Sequence, residues 1–120
     1  MEHVQRMGDD QAGFSVTFDA TMAAVRVRAW GFMSPEVAGA FGILVRDTCR
    51  VSPKQSALVM DMTELKPMRD EGQASFRILM DALPSLHMSS TTVLVTSQLV
   101  KLQLLRIANQ TAAKGSLRFA

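Results

Sequence analysis

The sequence predicts an α/β domain with elements in the order ββαβαβαβ, and three observations carry that reading. Two segments near the start, residues 14–18 and 22–29, alternate apolar and polar residues with the period of a strand. Two further runs, 56–60 and 91–96, are apolar, the first nearly uniformly so, as buried strands are. Three stretches with apolar residues at helical spacing are interleaved with these strands. That alternation implies parallel pairing with right-handed crossovers, beside one antiparallel hairpin, and helices packed on a mixed sheet.

Each element has its own warrant. Residues 1–13 are polar and end in Gly13, and the expectation is a flexible leader before a domain spanning 14–120. Phe14, Val16 and Phe18 share one face, Asp19-Ala-Thr21 turns the chain, and Val25 and Val27 then point inward with Arg26 and Arg28 outward. Ser34-Pro-Glu36 is a helix start: a hydroxyl cap, a proline at the first helical position, then an acid. Val37, Phe41, Leu44, Val45 and Thr48 make that helix's buried face, and Ser52-Pro53 ends it.

Residues 56–60 read as a central strand covered on both faces. The second helix should bury Gly72, Phe76, Leu79, Met80 and Leu83, with Arg77 and Asp81 spaced for a surface ion pair and Pro84 as a stop. After strand 91–96, Ser97 caps a third helix reaching about residue 113. Gly115 ends it, and 116–119 form a short last strand.

Bulk properties narrow the function. A chain of 120 residues, 48% hydrophobic and 20% charged, is one domain with a real core. Thirteen basic against eleven acidic residues give a net charge of +2, too little for a nucleic-acid footprint. Cys49 is the only cysteine, which excludes a disulfide framework or a cysteine metal site within one chain. The first ten residues lack a signal-peptide core and no stretch is long enough to span a bilayer, so a cytoplasmic protein is expected.

His3 and His87 stand without a serine, cysteine or carboxylate constellation. No metal-spaced pair or glycine-rich phosphate loop is present, and tyrosine is absent. The expectation is a protein that is not an enzyme and has no cofactor.

The segment Asp61-Met-Thr-Glu-Leu-Lys-Pro-Met-Arg-Asp-Glu-Gly72 joins an apolar strand to a helix through a polar loop. It resembles the switch segment of the STAS domain family, best known as bacterial anti-sigma-factor antagonists and as cytoplasmic modules of sulfate transporters. In that family the strand ends in Asp-x-Ser/Thr, and five residues later comes Asp-Ser-Ser/Thr-Gly with a phosphorylated hydroxyl. Asp61, Thr63 and Gly72 match. Arg69 stands at the aspartate position, and Asp70 and Glu71 replace both hydroxyls. The resemblance covers residues 14–120. It implies a STAS-like mixed sheet and a non-enzymatic partner-switching or scaffold module, whose partner is an anti-sigma factor or serine kinase, other STAS proteins or a transporter subunit.

Two readings of Asp70 and Glu71 stay open. As first-turn acids they complement the helix dipole, contributing about 0.3–1 kcal/mol each. As partial, permanent mimics of a phosphorylated residue they would lock the switch; aspartate carries about −1 charge where phosphoserine carries about −1.5 to −2. Thr63 and Ser75 are the hydroxyls left nearby.

The expected partner surface comprises Pro67, Met68, Arg69, Asp70, Glu71, Gly72, Gln73 and Phe76. An apolar rim of Trp30, Phe32 and Met33 joins it, where many family members have an acidic run. In the third helix, Leu99, Val100, Leu102, Leu104, Leu105 and Ile107 cover more than the arc a sheet-packing helix needs. Leu102 and Leu105 are therefore candidates for self-association into a homo-oligomer. A small-ligand or lipid-sensing STAS-like domain is the alternative, and it would require an apolar pocket of several hundred Å3.

Overall fold

The computed structural model describes residues 4–120; His3 lies outside them. The alternation read from the sequence becomes strands β1 (Val4–Gly8), β2 (Gly13–Asp19) and β3 (Ala24–Gly31), helix α1 (Pro35–Val51), strand β4 (Ala57–Leu65) and helix α2 (Asp70–Ala82). A 3-10 turn (Leu83–Leu86), strand β5 (Ser90–Leu94), helix α3 (Gln98–Asn109) and strand β6 (Leu117–Phe119) follow. The strands form one six-stranded sheet in chain order, with β1–β2 and β2–β3 antiparallel and β3–β4, β4–β5 and β5–β6 parallel.

The first strand differs from expectation. Residues 4–8 belong to the sheet, pairing Val4 to Thr17 through Gly8 to Gly13. The polarity of Val-Gln-Arg-Met-Gly hides a strand because β1 sits at the sheet edge, where neither face must be apolar.

Helix α1 packs on α2 and α2 on α3, so the helices make one layer on one side of the sheet. Successive right-handed crossovers that always add the next strand on the same side require this. The core lies between the layers: Phe14, Val16, Val25, Val27, Leu58, Met60 and Val93 from the sheet meet Phe41, Val45, Phe76, Leu79, Leu104 and Ile107 from the helices. Phe14 and Phe41 meet edge to face with ring centroids 5.3 Å apart.

The other sheet face has no helix over it. Arg26, Val59, Thr92 and Arg118 line one row across it, and Arg28, Asp61 and Leu94 the next. Strand β4 is thus covered on one face only, contrary to its uniformly apolar sequence. Ala57 and Val59 are half-buried there, screened by neighbouring strands and not by a helix.

Both ends of α1 are as the sequence dictates: Ser34 Oγ accepts the Val37 N–H, and Ser52 caps the other end. Its buried face is rotated from the expected one, running through Ala38, Phe41, Gly42, Val45 and Cys49 while Leu44 and Thr48 stay half-buried. The rotation follows from close packing against α2 at Gly42. Burial pushes the Cys49 thiol up to about 12, so it remains a neutral, inert core group.

The Arg77–Asp81 ion pair does not form. Arg77 donates to Gln110 Oε1 at 3.0 Å and Asp81 accepts the Ala112 N–H at 3.2 Å, because the end of α3 offers each a partner. Helix α2 ends at Ala82, and Pro84 sits inside the 3-10 turn that follows it.

Candidate protein-interaction site

The expected site residues lie on two loops at the C-terminal ends of β3 and β4. Gly31 closes β3 at φ +71°, and a side chain there would place its Cβ 2.1 Å from the Gln11 carbonyl oxygen. That close approach lets the chain turn sharply into Phe32 and Met33. Strand pairing continues one step past the sheet, with Lys66 N–H donating to Gly31 C=O at 3.1 Å. Phe32, Met33, Pro67, Met68, Arg69, Glu71 and Gly72 then border one small cleft of ≈ 20 Å3, room for about one water molecule. The two loops form a nearly closed surface and leave no ligand chamber.

Burial divides the expected residues. Arg69, Asp70 and Glu71 are exposed, Phe32 is 58% exposed, and Pro67, Gln73 and Met33 are half-buried. Met68, Gly72 and Phe76 are buried, so they shape the surface from beneath and cannot meet a partner directly. Trp30 is only 5% exposed and belongs to the other side of the sheet. Strand alternation turns it away from Ala29's face, its Nε1–H donates to the Asp9 carbonyl at 2.8 Å, and the Arg6 and Arg28 guanidiniums lie 5.0 and 4.9 Å from its ring centre. The apolar rim therefore reduces to Phe32, with Met33 packed onto the core.

Asp70 and Glu71 occupy the first turn of α2, as expected. The cap residue is Arg69, whose backbone is extended (φ −84°, ψ −176°) but whose side chain makes no capping hydrogen bond. Capping geometry without a capping side chain leaves the helix N–H groups to the acids and solvent. Arg69→Asp should accordingly stabilise the fold by about 0.5–1 kcal/mol in denaturant unfolding; a neutral or negative change would show that the end is already satisfied.

Asp61 and Thr63 do not join this cluster. Asp61 Oδ1 accepts from the Thr63 N–H at 3.0 Å and the Thr63 hydroxyl at 2.6 Å, on the helix-free face. Among the described residues, no hydrogen bond or ion pair links them to Asp70 or Glu71. Partial burial pushes the Asp61 carboxyl up, but the Thr63 hydrogen bonds, Arg28 and Arg26 together hold it below the ordinary 3.8. A depressed carboxyl adds stability above its unfolded value and loses it as pH falls through the folded one. The stability gap between wild type and Asp61→Asn should be full at neutral pH and shrink as the pH drops below 3.8; a pH-independent gap would overturn this.

Gln103 is the residue that sequence reasoning missed. Its Oε1 accepts the Met68 N–H at 2.8 Å and its Nε2 donates to the Met68 carbonyl at 3.0 Å, while Gln73 Nε2 reaches that carbonyl at 3.0 Å. Arg106 in turn donates to Gln73 Oε1 at 3.3 Å. Gln103, Arg106 and Gln110 recur at helical spacing as a polar stripe on α3 facing α2, a signal masked by the surrounding leucines. Gln103→Leu should cost about 1–2 kcal/mol and speed hydrogen exchange at the Met68 amide. Unchanged exchange would mean the loop holds itself.

The surplus apolar residues of α3 do emerge: Leu102 is 61% and Leu105 37% exposed, with Leu99 on the same outer side. Ser75 is buried, its Oγ accepting the Gly42 N–H at 2.6 Å, out of reach of a modifying enzyme in the folded chain. Among the described residues, no group of three or more His, Cys, Asp or Glu could hold a metal ion, and no helix is long and apolar enough to cross a membrane. Fold and site together define a two-layer α/β domain with a closed, partly charged loop surface at the strand ends. No protein-family model, curated protein or solved structure matches the chain.

Proposed function

We propose that the chain is a non-enzymatic, STAS-like protein-binding module whose partner surface is the pair of loops at the ends of β3 and β4. One observation carries the reading: Asp70 and Glu71 stand exposed at an uncapped helix end beside exposed Phe32, on a loop held by Gln103. An apolar anchor within a charged, rigid rim suits protein recognition. By the family resemblance, the setting is the bacterial cytoplasm and the partner is an anti-sigma factor, a serine kinase, another STAS chain or a transporter subunit. Asp70 and Glu71 act there as a fixed substitute for a phosphorylated switch.

The test is affinity capture from the native extract, with wild type, Asp70→Ser and Phe32→Ser as parallel baits. A protein whose recovery changes with both substitutions supports the loop surface. Equal recovery from all three moves recognition elsewhere, to Leu102 and Leu105 first.

A second reading, an apolar-ligand sensor, has one favouring observation. Between β1–β2 and α1 runs a groove of ≈ 680 Å3 bordered by Val16, Phe18, Leu44, Val51 and Pro53. Its volume falls within the range of small-molecule sites. Titration with a fluorescent fatty acid that gives no saturable signal would remove this reading.

A further inference from the structure

The sheet ends at β1, whose outer edge meets no other strand among the described residues. Asp9 N–H donates to the Ala12 carbonyl at 3.0 Å, which makes that pair a hydrogen-bonded one. Alternation along an antiparallel ladder then aims the backbone N–H and C=O of Val4 and Arg6 outward, while Gly8, at φ +96°, leaves the extended geometry where the strand turns. The usual guards of an edge are missing: β1 has no proline, its pairing has no bulge, and its one charged side chain is drawn onto Trp30 and Asp10.

The apolar groove lies directly beside this edge. On the helix-side face of β1, Met7 is half-buried against the core, but Gln5 stays exposed and forms one border of the groove, with Val51, 83% exposed, forming the other. The two ends of this face are opposite in charge. Asp9 and Asp10 occupy the turn after β1, and Glu36 begins α1 at the same end. At the other end Arg46 and Arg50 share the single carboxylate of Asp47, and Lys54 follows with no ion pair among the described residues. Asp19, also at that end, is taken by Arg26 at 3.6 Å.

We infer that this face binds a second copy of the chain. The two β1 strands pair antiparallel about a twofold axis, joining both sheets into one. Strand parity allows only registers that oppose outward residues, and the one that uses Val4 and Arg6 of both copies sets Val4 of one against Arg6 of the other. The twofold also sets the acidic end of each copy against the basic end of its mate, whereas a parallel arrangement would oppose like ends. Each Arg6 stays held by its own Asp10 at 3.2 Å, which screens its charge along the shared edge. This interface is separate from the loop surface and does not depend on the STAS reading.

Sedimentation equilibrium of the full chain at low to high micromolar concentration tests the inference. The expected result is a reversible dimer that weakens as salt is raised. Arg6→Pro, which removes an outward N–H without touching the β1–β2 ladder, should weaken it about tenfold or more. Since that change also strips the cover from Trp30, a charge swap provides the independent check. Glu36→Lys and Lys54→Glu should each weaken the dimer severalfold, and the double variant should restore it. A monomer at every concentration, a dimer indifferent to these changes, or a monomer that fills the groove with a fluorescent fatty acid would each overturn the inference.

Discussion

Replacing Gly42 by alanine should destabilise the protein by about 3 kcal/mol or more, read as a fall in the denaturant midpoint with the slope unchanged. Helix propensity alone forecasts the opposite, since alanine is better than glycine in a helix interior by about 1 kcal/mol. Packing decides the sign. A Cβ at this position would lie 1.9 Å from the Ser75 carbonyl oxygen and 2.9 Å from its hydroxyl, so α1 and α2 would have to separate. Separation would also break the Gly42 N–H bond to Ser75 Oγ. A stabilised Gly42→Ala protein would show that the two helices do not approach so closely.

The second large effect concerns Phe76. The spacing of the sequence places it near the switch-like loop, where a partner could touch it, but it is fully buried between sheet and helices. Phe76→Ala should therefore cost about 3–5 kcal/mol through lost burial and the cavity left behind. For a domain of this size that corresponds to a drop in Tm of roughly 10–20 °C. An interface residue would leave Tm unchanged and alter only partner recovery, so a calorimetric scan separates the roles. The same logic assigns Met68 and Gly72 to supporting the loop surface and leaves Phe32, Arg69, Asp70 and Glu71 as its exposed members.

Most of the architecture was legible because its signals are local. Ser34-Pro35 and Ser97 mark helix starts whose hydroxyls cap in the structure, and the alternation of 14–18 and 22–29 is the antiparallel pair β2–β3. Errors arose where distant partners decide the outcome. β1 is polar because an edge strand needs no apolar face, and nothing within residues 4–8 reveals the strand it will join. β4 is apolar throughout although only one of its faces carries helices, since side-by-side strands shield Ala57 and Val59. In the sequence Trp30 reads as part of a rim, because a large apolar residue near a turn gives no hint of which way it points. Two arginines from separate strands settle that. Gln103 escaped notice for the same reason: its partner is a backbone amide 35 positions away.

The strand order of the sheet has a consequence for how the chain assembles. Because space follows sequence from β1 to β6, every strand docks on the one made just before it, and no late segment must be threaded between earlier ones. Each closure spans a single hairpin or one helical crossover, which keeps its entropic penalty small. Such a chain can grow its core progressively as it leaves the ribosome, the β2–β3 hairpin templating β4 and each later strand templating the next.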